Sequence, residues 1–217
     1  MNKFIQAISR IFRDNNNKII VIKDGKEYVN NWLKMPKGLR IKFKGSNNTV
    51  RIELPCNFRK SKIKVRSSNS LIEIKRGCSF SGLHLNCGLG KHICKIGNNV
   101  STTGSLNITM WGTSQLIIED DCMFALRVLI RTSDSHLIFD KDSRQVINKQ
   151  KSPLIIGHHS WVGQDVFITK NASIPPNSII GMASVVSKRF TEEYTCIAGN
   201  PARVVKQNVY WTGEMDT

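Results

Sequence analysis

Histidine side chains are the residues of this chain best suited to proton transfer, and one of them stands where the sequence pattern changes. The five are His84, His92, His136, His158 and His159. A neutral imidazole has a pKa near the physiological range, so it can take a proton from a weak nucleophile such as a hydroxyl group. His136 ends the segment Arg131–His136, and the residues from there to Pro153 interrupt the repeats on either side. Because sites are commonly carried by loops on a rigid scaffold, we take His136 as the candidate general base.

The scaffold is indicated by a six-residue repeat in the C-terminal part of the chain. Its aliphatic positions are Ile156, Val162, Ile168, Ile174, Ile180 and Val186. A small or aliphatic residue stands two positions before the last five, at Ser160, Val166, Ala172, Ser178 and Ser184. A helix needs a period of 3.6 residues and an amphipathic strand a period of two, so neither explains six. The pattern predicts short strands joined by sharp corners, three to each turn of a coil, with the aliphatic residues pointing inward.

The N-terminal half repeats at a longer period of 22 residues. The repeated positions are Ile52, Ile74, Ile96 and Ile118, followed four residues later by Cys56, Cys78, Val100 and Cys122. We interpret these as coils of the same type with about four extra residues per turn. The three cysteines then occupy one stacked position as small buried residues, so a redox role is not expected for them.

These patterns divide the chain into three segments. Residues 1–50 form an N-terminal extension, residues 51–190 the repeat domain, and residues 191–217 a closing segment. Within the extension, apolar residues at helical spacing predict a short basic amphipathic helix over residues 4–12, followed by short strands. Such a helix packs on its own domain or a partner subunit, or it contacts a membrane or a capsule-synthesis complex there. The sequence leaves these alternatives open.

The composition is that of a basic globular protein. The 217 residues include 32 Lys and Arg against 16 Asp and Glu, which gives a net charge of +16. That charge attracts polyanions, but no nucleic-acid-binding motif accompanies it. No CxxC pair occurs among the six cysteines, which argues against a zinc or thioredoxin-like site. With no signal peptide or span of about 20 apolar residues in the sequence, we expect a cytoplasmic protein, with the inner face of the membrane as an alternative.

Four segments carry a resemblance to hexapeptide-repeat acyltransferases. Residues 154–163, LIIGHHSWVG, resemble the IG-x-x-x-WIG signature of that family, and residues 179–188, IIGMASVVSK, resemble its IGAGSVVTK segment. Residues 197–206, IAGNPARVVK, resemble its closing GNPAKVIK, and residues 132–136, TSDSH, resemble the segment that carries its catalytic histidine. Within the family, the layout is most similar to O-acetyltransferases that modify the sialic acid polymers of bacterial capsules.

The resemblance implies a fold and an activity. The fold is all-β, a left-handed parallel β-helix of hexapeptide repeats with a short N-terminal helix and a protruding loop. The activity is transfer of an acetyl group from acetyl-CoA to a hydroxyl of an acidic capsular polysaccharide, with His136 as the base and no metal. The resemblance also implies a homotrimer, in which we expect His136 of one chain to face Trp161 of another; whether trimers pair into hexamers is left open.

The donor and acceptor sites follow by position in the family motifs. Trp161 lines the acetyl and pantetheine channel, and it is also assigned to the catalytic site. The other positions that match coenzyme A contacts are Gln164, Gly181, Met182, Ser187, Lys188, Arg203 and Lys206. Phosphates need cations and hydrogen-bond donors, which the basic members of this set supply. For the acceptor, we expect contacts from Trp111 as a stacking platform and from Arg131 and Asp134, and either Asp134 or a backbone carbonyl orients His136.

Alternative functions of a β-helix require different residues. A γ-type carbonic anhydrase shares the coil but needs three regularly spaced zinc histidines, which this sequence lacks. A neutral O-antigen sugar or an amino sugar as acceptor, and a non-catalytic polyanion-binding β-helix, remain alternatives. The presence of His136, Trp161 and the closing motif together favours the enzyme.

Overall fold

A computed structural model of the chain describes residues 15–149 and 152–214. It is a solenoid of short parallel strands, and in the part of the chain described the only helical segment is a 3-10 turn at Trp32–Lys34. The helix expected over residues 4–12 lies outside the described residues. No helix within the described ranges is long and apolar enough to cross a membrane.

Within the described ranges, twenty-three strands make up the solenoid. Those before the loop with His136 are β1 (Lys18–Lys23), β2 (Lys26–Val29), β3 (Leu39–Phe43), β4 (Thr49–Glu53), β5 (Asn57–Phe58), β6 (Ser61–Val65), β7 (Leu71–Ile74), β8 (Ser79–Phe80), β9 (Leu83–Cys87), β10 (His92–Ile96), β11 (Ser101–Thr102), β12 (Leu106–Met110), β13 (Ser114–Ile118), β14 (Met123–Phe124) and β15 (Val128–Arg131). Those after it are β16 (Leu154–Ile156), β17 (Trp161–Val162), β18 (Phe167–Ile168), β19 (Ser173–Ile174), β20 (Ile179–Ile180), β21 (Val185–Val186), β22 (Cys196–Gly199) and β23 (Ala202–Lys206).

The strands form three sheets, which the chain visits in turn. The first sheet has the order β19-β16-β13-β10-β7-β4-β1-β2, the second β23-β22-β20-β17-β14-β11-β8-β5, and the third β21-β18-β15-β12-β9-β6-β3. All neighbours pair in parallel except β1 with β2 and β22 with β23. This confirms the predicted β-helix; its left-handed sense stays a prediction from the resemblance.

The two sequence repeats form one stacked column inside the coil. In the first sheet, cross-strand partners run in the order Ile52, Ile74, Ile96, Ile118, Ile156 and Ile174. Each of these side chains is at most 1% exposed. Burial of one such side chain contributes about 1.5–3 kcal/mol, so the column is a main source of stability. The 22-residue repeat and every third position of the six-residue repeat therefore occupy the same structural position in long and short coils.

Two of the three cysteines at the repeated position are buried, as the repeat predicts. Cys78 and Cys122 are buried, and Cys56, at the outer end of the column, is only partly buried. Burial raises the pKa of the Cys122 thiol to about 12, because the thiolate would lose its hydration. That thiol stays neutral and packs as a compact apolar group.

The N-terminal strands belong to the same solenoid. β1 pairs with β4, and β3 pairs with β6 over five residues, so residues 18–43 contribute strands to the first and third sheets. The division of the chain at residues 50 and 190 stays a prediction. The predicted protruding loop lies between β15 of the third sheet and β16 of the first, and its tip exposes Leu137, Ile138 and Phe139.

Candidate functional site

The loop with His136 leaves the coil over a buried polar group. Thr132, fully buried, donates a hydrogen bond from Oγ1 to Oγ of Ser114 at 2.9 Å, and that oxygen lies 3.0 Å from Nδ1 of His92. His92 is itself buried, and burial lowers its pKa because the charged ring would lose its hydration. His92 is therefore a neutral structural residue beneath the loop.

His136 presents an exposed imidazole held by its backbone. Nδ2 of Asn148 donates to the backbone oxygen of His136 at 2.8 Å and to the carboxylate of Asp134 at 2.9 Å. Within the described ranges, neither ring nitrogen of His136 has a hydrogen-bond partner, so neither candidate for orienting the ring, Asp134 or a backbone carbonyl, reaches it.

Asp134 anchors the loop to the next coil. Its carboxylate pairs with the ammonium group of Lys170, which follows β18 at the corner below and also donates to the backbone oxygen of Asn148 at 2.6 Å. Burial acts to raise the pKa of Asp134, but the hydrogen bonds from Lys170 and Asn148 outweigh it and hold that pKa below its usual range. Asp134 is thus ionised and occupied by protein partners, where an acceptor contact was predicted.

A cavity of about 450 Å³ has His136 and one of the predicted acceptor residues, Trp111, in its wall. Trp111 and His136 both line it, together with Gly112, Thr113, Ser133, Ser135, Leu137, Asn148 and Lys149. The ring of Trp111 lies over Gly88, where an added Cβ would come within 1.9 Å of the indole. Nη2 of Arg131 lies 3.3 Å from Oγ of Ser135, on the wall of the cavity.

Trp161 lies on another face of the molecule. It is on β17 of the second sheet, with 38% of its surface exposed. The ring of Trp211 lies 6.1 Å from it and stacks on His159 at 4.5 Å, and Nε1 of Trp211 donates to the backbone oxygen of His159 at 2.9 Å. Trp211 therefore lies beside Trp161, and neither of these two tryptophans lines the cavity of His136.

The predicted coenzyme A residues fall into three groups within one chain. Gln164, Gly181 and Met182 lie at successive corners between the second and third sheets, where the amide of Ala183 donates to the backbone oxygen of Gln164 at 2.8 Å. Met182 is 67% exposed, and an added Cβ on Gly181 would meet Ala198 at 2.8 Å.

The remaining predicted cofactor residues lie farther along the coil. Ser187 and Lys188 follow β21 at the corner between the third and first sheets, and the ammonium group of Lys188 lies 5.1 Å from the ring of Phe190. Arg203 and Lys206 are exposed on β23 at the edge of the second sheet. All four carry donor groups that solvent can reach.

Sequence reasoning missed the two residues that hold the loop. Lys170 stands next to Thr169 in a turn of the six-residue repeat, and Asn148 lies in the interruption of that repeat. Neither residue carries a signal in the sequence, because the interruption of the repeat hides which corner of the coil lies below the loop. No trio of His, Cys, Asp or Glu side chains suited to a metal ion occurs among residues 15–149 and 152–214.

A larger cavity lies away from these residues. It measures about 760 Å³ at the N-terminal end of the coil, with Met35, Phe58 and Phe80 in its wall, and no predicted site residue lines it. We locate the site by its chemistry rather than by cavity size, since the smaller cavity holds the unpaired imidazole.

Comparison with known proteins places the chain among acetyltransferases. It is 35% identical over 172 residues to a polysialic acid O-acetyltransferase of Neisseria meningitidis, a match that spans 79% of this chain and 78% of the relative. A polysialic acid O-acetyltransferase of Escherichia coli O1:K1 is 37% identical over 94 residues, which is 43% of this chain and 30% of that relative. No family model matches the sequence.

Solved structures agree with this placement. The crystal structure of the polySia-specific acetyltransferase NeuO matches 94% of this chain and 81% of its own length, with a TM-score of 0.78 and 25% identity. That of the polysialic acid O-acetyltransferase OatWY matches 93% and 90%, with a TM-score of 0.63 and 27% identity. The chain therefore belongs to the hexapeptide-repeat acetyltransferase family, together with the polysialic acid O-acetyltransferases, and is an O-acetyltransferase.

Proposed function

We propose that the protein transfers an acetyl group from acetyl-CoA to a hydroxyl of an acidic capsular polysaccharide, polysialic acid in the first instance. The observation that carries this proposal is the imidazole of His136, which has no hydrogen-bond partner among the described residues and lies in an open cavity beside Trp111. A base with free nitrogens next to an aromatic wall suits a sugar ring that must present a hydroxyl.

The chemistry assigned to His136 is general base and then general acid catalysis. The imidazole takes the hydroxyl proton as the acceptor oxygen attacks the carbonyl carbon of the thioester. Collapse of the tetrahedral intermediate breaks the carbon–sulfur bond, and the imidazolium returns the proton to the departing thiolate of coenzyme A. The hydrogen bond from Asn148 to the backbone oxygen of His136 fixes the backbone of that residue and does not involve either ring nitrogen.

The donor is held by residues of the second sheet and its corners. The exposed indole of Trp161 offers a flat apolar wall to the thioester arm, and Gln164, Gly181 and Met182 line the path of the pantetheine. The phosphates are bound by cations and donors at Ser187, Lys188, Arg203 and Lys206.

A second copy of the chain completes the site. His136 lies between the third and first sheets and Trp161 on the second, so the base and the donor wall come together when two chains pack side by side. A homotrimer supplies three such sites, and trimers can pair into hexamers. Co-expression of His136→Ala with Trp161→Ala chains should then restore activity at roughly a quarter of the sites, since only those combine two intact halves. Two inactive variants that stay inactive when mixed would contradict a shared site.

The acceptor is tested directly by acetyl transfer. The full chain is incubated with acetyl-CoA and either polysialic acid or a neutral polysaccharide, and acetylated polymer is measured. We expect activity on the acidic polymer, reduced by about 10²- to 10⁴-fold in His136→Ala. His158→Ala serves as the control, because His158 is exposed and lies outside the cavity. Transfer to the neutral polymer alone, or equal rates in both variants, would overturn the proposal.

A further inference from the structure

The outer face of the third sheet carries an uninterrupted group of cations on its first two strands. We call this group the basic ladder; it consists of Arg40, Lys42, Lys44, Lys62, Lys64 and Arg66. Arg40 is the direct cross-strand partner of Lys62, and Lys42 that of Lys64. Five of the six side chains are exposed, and Lys64, in the middle, is half-buried.

These cations have no acidic partner within the part of the chain that the structure describes. No carboxylate among the described residues lies within ion-pair distance of any of the six. Desolvation and then repulsion from the surrounding cations, with Arg66 and Lys44 foremost, lower the pKa of Lys64. Like charges directly opposite each other destabilise a sheet, so this arrangement works against the fold and needs another reason to exist.

The basic ladder continues in register to the cavity of His136. From Lys64 the cross-strand partners are Asn86, Thr109 and Arg131, all polar and all on the outer face. The carboxamide oxygen of Asn86 has no hydrogen-bond partner in the structure as described. With about 4.8 Å between strands, Lys64 lies roughly 14 Å from Arg131, which precedes the loop that carries His136.

A second column beside it reaches the aromatic wall of the same cavity. The backbone amides of Lys44, Arg66 and Gly88 bond one strand onward to the carbonyls of Val65, Cys87 and Met110. Lys44, Arg66, Gly88 and Trp111 therefore follow one another along the coil. The indole of Trp111 lies over Gly88, so its ring extends from the cavity toward the basic ladder.

We propose that the basic ladder and the polar column to Arg131 form a binding track for an acidic polysaccharide. Carboxylates of the polymer occupy the ladder while the sugar to be acetylated lies in the cavity of His136. The identity of this occupant rests on the proposed function; the charge complementarity rests on the ladder itself. A polymer with one carboxylate per sugar matches a row of evenly spaced cations, whereas a short fragment in the cavity does not reach them.

The test compares two double variants of the full chain that lose the same charge. Lys62→Gln/Lys64→Gln removes the central lysines of the ladder, and Lys75→Gln/Lys95→Gln removes two lysines from the outer face of the first sheet. Calorimetry measures binding of polysialic acid and of single-stranded DNA, and rates are measured with the long polymer and with a sialic acid dimer. Thermal unfolding confirms that each variant is folded.

We expect the ladder variant to bind the long polymer about tenfold more weakly, with KM raised for that polymer and kcat unchanged. KM for the dimer and for acetyl-CoA should stay at the wild-type value, and the first-sheet variant should behave as wild type. If wild type binds the polymer through the ladder but acetylates neither acceptor, the track stands and the proposed function falls. Equal losses in both variants, no polymer binding by wild type, or tighter binding of DNA than of polysialic acid would overturn the track.

Discussion

The outer faces of the first and third sheets both carry basic side chains, but these side chains differ in whether carboxylates lie beside them. On the first sheet three of the cations lie next to a carboxylate: Arg51 lies 2.6 Å from Glu27, Lys75 3.7 Å from Glu53, and Lys95 3.9 Å from Glu73. On the third sheet the six cations of the basic ladder lie beside one another, and none of them pairs with a carboxylate of residues 15–149 or 152–214.

We infer that the ion-paired cations of the first sheet stabilise the fold, whereas the cations of the basic ladder bind a ligand. Alternating signs across strands add a little stability and fix the register, whereas a same-sign ladder opposes folding. The face that opposes folding is also the one whose columns end at Trp111 and at Arg131, which precedes the loop of His136. We take that coincidence as the main reason to connect the ladder with catalysis.

The largest effect is expected where the third sheet meets the cavity. In Gly88→Ala the new methyl group would overlap the ring of Trp111, so the indole must move away from the cavity wall. We expect a loss of about 1–3 kcal/mol in the free energy of unfolding, together with a raised KM for the acceptor and an unchanged KM for acetyl-CoA. Gly82→Ala is the matched control, because its nearest neighbour would be at an ordinary 3.4 Å. Equal acceptor KM values in the two variants would remove Trp111 from the acceptor site.

A smaller effect is expected from the anchor of the loop. Asp134→Asn loses the ion pair with Lys170, so His136 should be held less firmly and kcat should fall about tenfold. Asp140→Asn, in the same loop but bonded only within it, should leave kcat near the wild-type value.

The same anchor predicts a pH dependence. The pKa of Asp134 is lowered in the folded chain, so the anchor contributes fully above the unfolded value of about 3.9 and is lost as pH falls through the lowered pKa. Unfolding of wild type and Asp134→Asn followed against pH should therefore differ at neutrality and converge in acid. A constant difference down to acid pH would contradict an ionised anchor.

The smallest effect compares the two faces directly. Lys95→Gln removes a partner of Glu73 and should lower the free energy of unfolding by a few tenths of a kcal/mol. Lys62→Gln relieves repulsion with Arg40 and should raise it by a similar few tenths. Changes of the same sign in chemical denaturation would show that the two faces do not differ as described.

Much of the fold could be predicted from the sequence, because each turn of the coil repeats the same pattern of residues over a short stretch of chain. The buried columns at Ile52 and Ile156 are visible as repeats, and the break of the pattern after His136 marks the loop. The contact between Asp134 and Lys170 could not be found this way, because the interruption of the repeat between them hides which corner lies below the loop.

The basic ladder is also visible in the sequence, as a 22-residue repeat of cations that the isoleucine repeat does not include. Arg40 and Lys62 are 22 residues apart, as are Lys42 and Lys64, so the longer period continues into residues 18–50. Cations that recur at the period of a coil must stack on one face. Their lack of acidic partners, in contrast, depends on which side chains lie nearby in space and needs the structure.

The most direct test of the account is the ionic-strength dependence of acetyl transfer to polysialic acid. Initial rates at subsaturating polymer are measured for wild type, Lys62→Gln/Lys64→Gln and Lys75→Gln/Lys95→Gln. The account predicts that the wild-type and first-sheet variant rates fall steeply and in parallel with added salt, and that the ladder variant has a lower rate and a shallower slope. Three parallel slopes would show that the acidic polymer reaches His136 without using the third sheet, and would contradict the account.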